Sequence, residues 1–279
     1  MILKSYAKVN LYLKILNKRP DNYHNLDTIF ERISLFDTIV LSGRKDNLIK
    51  ITCSDKNVPT DNTNFCYKAA KLLQDKFKIN SGVNIRIKKR IPVAAGLGGG
   101  SSNAATVLLG LNKLWKLGLS TEKLAKLAAK TGSDTAFFVY NTPFAQGRGR
   151  GEKITLLPKL KKLKFWHILI VPGIKVSTPH IYREWDKQDK GLTMVSSDVK
   201  ILRFGQPLFN SLESVTLRLY PQVRQVKYAL QGLGLNSVLM SGSGPAVFAL
   251  VASKKQAVSL SEKLKELTPS SRFFVVKTA

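Results

Sequence analysis

Acidic side chains, cysteines and histidines are all scarce in this sequence. Two cysteines, Cys53 and Cys66, in 279 residues exclude a disulfide framework and a paired metal-ligand motif, which points to a reducing compartment. His24, His167 and His180 have no metal-ligand spacing, so no zinc site is expected and no metal is assigned to protein side chains. No apolar run reaches the length that crosses a bilayer, and the start Met1-Ile2-Leu3-Lys4-Ser5-Tyr6 lacks the layout of a signal or transit peptide. The expected localisation is cytoplasmic, or the plastid stroma in a plant-like source, with no membrane partner. Repeats and low-complexity tracts are also missing.

Against 18 acidic residues stand 45 basic ones, a formal net charge of +27. Such a balance first suggests nucleic acid or an anionic surface. The 33 Lys and 12 Arg are spread along the whole chain, however, with only short clusters such as Lys88-Lys89-Arg90 and Lys159-Leu160-Lys161-Lys162-Leu163-Lys164. Nucleic-acid readers concentrate Arg-rich stripes with interleaved aromatics. A solvated lysine-rich surface is the preferred reading, and no specific nucleic acid is expected as partner. The field would still help collect a polyphosphate, less so as salt rises. An apolar fraction of 44% describes a globular protein of one large domain or two ordinary ones.

One stretch organises the rest. Pro92-Val93-Ala94-Ala95-Gly96-Leu97-Gly98-Gly99-Gly100-Ser101-Ser102-Asn103 joins glycines to hydroxyls ahead of Val107, Leu108, Leu111, Leu114 and Trp115, which follow helical spacing. Glycines let the backbone take positive φ and approach a ligand, and a helix N-terminus attracts an anion. The loop fits neither common phosphate signature: no Lys follows the glycines as in a Walker A loop, and Ser101 and Asn103 stand where the dinucleotide pattern needs Gly. An ordinary strand-to-helix turn would explain one or two glycines, whereas four in five residues before Ser-Ser-Asn favour a phosphate cradle.

Residues 5–16 alternate with period two, placing Ala7, Val9, Leu11, Leu13 and Ile15 on one face and Lys8, Asn10, Tyr12 and Lys14 on the other. The pattern alone favours the solvent face of an edge strand for Lys8 and Asn10. Arg19 to Leu26 is a polar turn holding Tyr23 and His24, by itself a plain surface turn. Strands are expected at 27–42, 48–53 and 83–91, with a helix capped by Asp61 or Asn62 and striped by Phe65, Ala69, Leu72 and Phe77. Helices follow at 101–117 and from Ser120. Asp134 then precedes Phe137-Phe138-Val139, read as an apolar strand; the carboxylate either caps a turn or serves as a general base. Gly147 to Glu152 reads as a hairpin.

The lysine-rich segment near residue 160 marks a domain boundary. Beyond it a strand at 165–171, a loop from Pro172 to Tyr182 and a polar, mobile connector at 184–207 are expected. Helices at 208–219 and 221–232 lead to strand 236–240, the turn Ser241-Gly242-Ser243-Gly244-Pro245, strand 246–252, helix 254–267 and strand 272–277. Such a tail suits an α+β layer with helices on one face of an antiparallel sheet. The Ser-Gly-Ser-Gly turn is a hairpin or a second cluster of backbone donors.

Together, Gly96 to Ala105, the Asp134 segment and Ser241 to Gly244 resemble the three ordered motifs of the GHMP small-molecule kinases. Ala7 to Leu11, Asp21 to Leu26, Gly132 to Val139 and Asn210-Ser211-Leu212-Glu213 are further similar to the branch whose acceptor carries a cytidine diphosphate on methylerythritol. The resemblance implies an α+β, two-domain fold: an ATP-binding domain at 1–160, like ribosomal protein S5, and a ferredoxin-like α/β layer at 161–279. It implies transfer of the γ-phosphoryl group of ATP, with Mg2+ bridging phosphate oxygens, to the acceptor's 2-hydroxyl on the non-mevalonate route to isoprenoid precursors. Pro92, Gly96, Leu97, Gly98, Gly99, Gly100, Ser101 and Ser102 would hold the triphosphate, Asp134 would accept the hydroxyl proton, and Lys8 would steady charge at the reacting oxygens. Asn10 and Thr178 would contact the substrate, Tyr23 would stack on the base, His24 would hydrogen-bond its edge, and Tyr182 would form the opposing wall. Tyr6, Asn22 and Thr135-Ala136 replace the usual Pro, Gly and Val-Pro, and Pro245 also departs from the pattern. A mevalonate- or homoserine-type relative is disfavoured by Tyr23-His24; the reading from another class is a basic nucleic-acid-binding protein on the same fold. The oligomeric expectation is a monomer or weak homodimer.

Overall fold

The structure is a computed structural model and describes residues 1–188 and 208–279. A long antiparallel hairpin, β1 (Ile2–Lys18) and β2 (His24–Arg44), is its spine. Asn22 turns the hairpin at φ 63, a left-handed value that Asn tolerates better than most residues, which accounts for its place where the family usually has Gly. Because β2 is 21 residues long, its two halves pair with different strands. Thr38 to Arg44 pair with β4 (Gly82–Lys88), and Leu26 to Glu31 pair with β5 (Phe144–Gly149). β3 (Ile49–Cys53) adds to β4 in parallel, and β6 (Lys153–Leu156) closes a hairpin with β5. The other side of β1 takes a short parallel strand, β8 (Phe209–Asn210), at Tyr12 and Leu13. β1 is interior to the sheet at that end, and further back the Lys8 and Asn10 N–H groups donate to Leu97 O and Ser241 Oγ, so the edge-strand expectation for Lys8 and Asn10 is corrected: both are buried.

Helices α1 (Phe65–Phe77), α2 (Gly99–Leu114), α3 (Thr121–Ala128) and α4 (Thr135–Val139) cover one face of this sheet. Three local expectations change. The side chain of Asn64, not Asp61 or Asn62, caps α1 by accepting from the Cys66 N–H, while Asp61 closes the preceding turn on Thr63. The buried stripe of α1 is Cys66, Ala69, Ala70 and Leu73, which leaves Phe65 outside it. Phe137-Phe138-Val139 forms one helical turn rather than a strand, since all three side chains are buried at once among α2 and α3. A strand would have sent alternate ones to opposite faces.

The other face of β1 packs Ala7, Val9 and Leu11 against Leu169, Val171, Leu239 and Phe248 of a second sheet. That sheet runs β11 (Ser271–Lys277), β7 (Trp166–Pro172), β10 (Val247–Val251), β9 (Val238–Met240), antiparallel throughout. With α6 (Glu213–Leu219), α7 (Pro221–Gly232) and α8 (Lys254–Leu267) against it, the order is that of a split βαβ layer. Residues 208–212, expected as helix, instead carry β8 and the approach to α6. Thr178 to Tyr182, expected as loop, already belong to α5 (Thr178–Asp186). Of the expected connector 184–207, Glu184 to Asp186 end α5 and 189–207 lie outside the described residues. No helix among the described residues is long and apolar enough to cross a membrane.

Asp37 on β2 fastens the glycine stretch to the sheet. Fully buried, it accepts hydrogen bonds from the N–H groups of Arg90 (2.7 Å) and Ile91 (2.9 Å), from Asn103 Nδ2 (2.9 Å) and from Lys89 Nζ. Removing a carboxylate with this many partners leaves an ammonium and two amides without one. Asp37→Ala is expected to lower unfolding free energy by about 3–5 kcal/mol, measured by urea denaturation; a loss below about 1 kcal/mol would show that the network is dispensable.

Candidate active site

Between β4 and α2 the backbone passes through left-handed values at Ala94 (φ 53), Gly96 (φ 74) and Gly98 (φ 67). At Gly96 glycine is required by contact as well as by φ, because a Cβ would lie 2.1 Å from the Ser241 carbonyl oxygen. The loop is clamped on both sides. On one, the Lys8 N–H donates to Leu97 O (3.0 Å); on the other, Ser241 Oγ donates to Gly96 O (2.9 Å) and the Ala246 N–H to Ala95 O (3.2 Å). Gly98 is the N-cap of α2 without a side-chain cap, and the Ser102 N–H donates to Gly98 O (2.8 Å). Ahead of that bond, Gly99, Gly100 and Ser101 line a cavity of about 1040 Å³, where unpaired helix-start amides suit an anion.

Lys8 and Asp134 meet across this loop, Nζ to Oδ2 at 3.3 Å, with the lysine side chain 4% exposed and the aspartate 27%. Lys8 Nζ also donates to Asn10 Oδ1, Asn10 Nδ2 donates to Thr28 Oγ1 (2.8 Å), and Thr28 Oγ1 donates to Tyr12 O (2.6 Å). The Asn10 amide is thus engaged at both ends, which makes it a holder of Lys8 more than a free substrate contact. Asp134 precedes α4 and makes no capping bond. Its carboxylate stands 3.6 Å from where a Gly151 Cβ would be, so the β5–β6 turn walls it from the far side.

One end of the cavity is aromatic. His24, nearly buried, stacks on Tyr182 at 5.0 Å between centroids and meets Trp185 edge-on at 5.7 Å. His24 Nε2 lies 2.7 Å from Asp186 Oδ1. Tyr23 is 52% exposed, with the Arg150 guanidinium 5.0 Å from its ring centroid. Tyr182 lies on His24, and Tyr23 and Tyr182 both line the cavity. Burial pushes the Tyr182 phenol up, and the Asp134 charge adds to the shift. Thr178 Oγ1 and Ser243 Oγ are 2.7 Å apart, which ties α5 to the Ser241–Gly244 turn.

The opposite end is formed by Val58, Pro59, Thr63, Asn64 and Phe65, with Lys89 beside them. None of these was expected at the site. Their one sequence signal is Phe65, a large aromatic one position off the buried stripe and 44% exposed.

Lys8, Asn10, Tyr23, His24, Pro92, Gly96 to Ser101, Asp134, Thr178, Tyr182, Gly242 and Ser243 all line the one cavity. Ser102 does not: its Oγ pairs with Ser5 Oγ at 2.8 Å and its N–H is intrahelical. Ser241 and Gly244 stand behind the lining and act as backbone support. Among the described residues six cations, Lys8, Lys18, Lys89, Lys130, Arg150 and Arg183, line the cavity against two carboxylates, Asp134 and Asp186, a balance suited to polyphosphate ligands. The volume exceeds what one drug-sized ligand fills, leaving room for two.

Family models for the GHMP kinases N terminal domain and the GHMP kinases C terminal match residues 64–142 and 199–269. A 4-diphosphocytidyl-2-C-methyl-D-erythritol kinase of Geobacillus sp. (strain WCH70) is 45% identical over 257 residues, covering 90% of this chain and 88% of that protein. One from Moorella thermoacetica is 41% identical over 281 residues and 97% of each chain. A crystal structure of a 4-(cytidine 5'-diphospho)-2C-methyl-D-erythritol kinase is similar with TM-score 0.80 and 33% identity over the whole of both chains. Methanococcus jannaschii mevalonate kinase, at TM-score 0.72 and 17% identity over all of this chain and 98% of its own, shares the fold. Sequence and architecture lead to the same place: the chain belongs to the GHMP kinases, in the family of the 4-diphosphocytidyl-2-C-methyl-D-erythritol kinases.

Proposed function

We propose that the chain transfers the γ-phosphoryl group of ATP to the 2-hydroxyl of 4-diphosphocytidyl-2-C-methyl-D-erythritol, on the non-mevalonate route to isoprenoid precursors. The observation that carries this reading is the 3.3 Å Lys8–Asp134 pair, set in one cavity between a helix N-terminus and an aromatic end bearing a histidine. Phosphoryl transfer asks a protein chiefly for alignment and charge neutralisation. The N–H groups of Gly99, Gly100 and Ser101 hold the phosphate oxygens. Asp134 accepts the proton of the acceptor hydroxyl as its oxygen bonds to phosphorus, and Lys8 stabilises the charge on the transferred group.

Among the described residues no cluster of three or more acidic, histidine or cysteine side chains stands ready for a metal. That donor set fits Mg2+ carried in on the triphosphate, since Mg2+ keeps phosphate and water ligands and needs few from protein. Ser101 is the hydroxyl at the loop that would reach it, and the ion, when bound, neutralises charge on the phosphate chain. The apolar end at Val58, Pro59 and Phe65 suits the purine, and the His24–Tyr182 end suits the cytosine. A mevalonate- or homoserine-type acceptor would leave the second end without a ligand. We assign the triphosphate and the Lys8–Asp134 pair to a unit at 1–160 and the helical wall of the base end to a unit at 161–279. Every group invoked comes from one chain, so a monomer or weak homodimer suffices, and the cytoplasm supplies both substrates.

In a coupled assay, ADP release is expected only with the cytidine-diphospho acceptor; turnover of mevalonate instead would overturn the assignment. Asp134→Asn should lower kcat by roughly 10²–10⁴-fold while the KM for ATP moves little, and near-normal kcat would remove Asp134 from the proton step. In Gly96→Ala the new methyl meets the Ser241 carbonyl and displaces the loop. ATP affinity measured by calorimetry is expected to fall about tenfold or more, because the amides at the start of α2 lose their alignment.

A further inference from the structure

The mechanism above makes no use of Asp186, although it is one of two carboxylates that line the cavity among the described residues. Its two oxygens have different partners. Oδ1 lies 2.7 Å from His24 Nε2, and Oδ2 accepts from Lys18 Nζ at 2.7 Å. Burial opposes ionisation of this carboxyl, yet the hydrogen bonds from Lys18 and His24 together outweigh it and hold the group below the usual carboxylate range. An ionised carboxylate can only accept hydrogen bonds, so Nε2 must carry the proton. Lys18 supplies a countercharge at Oδ2, and His24 donates at Oδ1. The ring cannot turn over without breaking this bond, because Tyr182 stacks on its face and Trp185 meets its edge.

In the tautomer with the proton on Nε2, Nδ1 has a free lone pair. Among the described residues Nδ1 has no hydrogen-bond partner, and His24 lines the cavity. Cytosine and uracil differ at the ring position that such a group can test: cytosine carries an exocyclic amino donor, and uracil has a carbonyl acceptor there. A lone pair attracts the first and repels the second. We propose that Asp186 is a positioning residue that sets the His24 tautomer and thereby selects a cytosine-bearing acceptor over a uracil-bearing one. The inference rests on the reading of this end of the cavity as the base site.

The test uses the full chain, with CDP and UDP as probes alongside the cytidine and uridine forms of the acceptor. Long-range ¹H–¹⁵N spectra of the wild-type protein, whose three histidines are separable, should show His24 protonated at Nε2. Asp186→Ala should give a tautomer mixture, and Asp186→Asn, which keeps an oxygen at the same place, should restore much of the Nε2–H form. Calorimetry should show CDP bound at least about tenfold more tightly than UDP, with that ratio collapsing in Asp186→Ala. In turnover the loss should fall on the KM for the cytidine acceptor more than on kcat. Protonation at Nδ1 in the wild type overturns the proposal. So does an equal weakening of CDP and UDP in Asp186→Ala, the mark of a merely structural role. If neither acceptor is phosphorylated while the tautomer and the CDP to UDP ratio behave as described, the kinase reading falls and the role of Asp186 stands.

Discussion

The close approach of backbone to backbone at Gly96 is the constraint on which the site depends. With no side chain in the way, the loop lies directly against the Ser241 carbonyl on one side and hydrogen-bonds to β1 at Lys8 on the other. That double clamp sets where α2 begins and therefore where its unpaired amides point. It also places Lys8 beside the loop it helps to hold, so the cation and the amides proposed to face the transferred phosphate share one rigid support. Preorganisation of this kind is what phosphoryl transfer draws from a protein.

Buried polar networks keep the clamp in register. Asp37 joins β2 to the approach of the loop and to Asn103 in the first turn of α2. Asn210 Nδ2 donates to the carbonyls of Met240 and Gly242 and so fastens the Ser241–Gly244 turn from behind. Thr216 Oγ1 adds a bond to Ser243 O. Asp37, Asn210 and Thr216 stand outside the cavity lining, but each satisfies backbone groups that an irregular, buried loop leaves without ladder partners. The motifs at 96–103, 210–213 and 241–244 are therefore parts of one support, although they are far apart in the chain.

What could be read from the sequence follows from the range of the interactions involved. The glycine loop, the helix behind it, the shared face of Lys8 and Asn10, and the tail from 254 to 277 were legible because period and turn chemistry are local. The burial of Lys8 and Asn10 was not, since it depends on the glycine loop and the Ser241 turn lying along β1 there, where the two N–H groups donate to Leu97 O and Ser241 Oγ. Phe137 to Val139 looked like a strand because short apolar runs carry no decisive period, and packing against α2 and α3 chose the helix. Tyr182 was legible as an aromatic wall only through family resemblance, and its contact with His24 lies across some 160 residues of chain. Asp186 carried no local signal at all.

The geometry of α5 shows how the His24 end of the cavity is coupled to the turn that clamps the glycine loop. Thr178, Tyr182 and Asp186 follow a spacing of four and so occupy one helical face, the face that lines the cavity. The first meets Ser243 of the third motif, the second stacks on His24, and the third fixes the imidazole. Eight residues of helix rise roughly 12 Å, so this one stripe reaches from the turn that clamps the glycine loop to the group that reads the base. A shift of α5 would move both contacts together. On the proposed reading of the site, acceptor recognition is thereby referred to the same support that positions the phosphate, and a correctly held base would bring the acceptor to the Lys8–Asp134 pair in register.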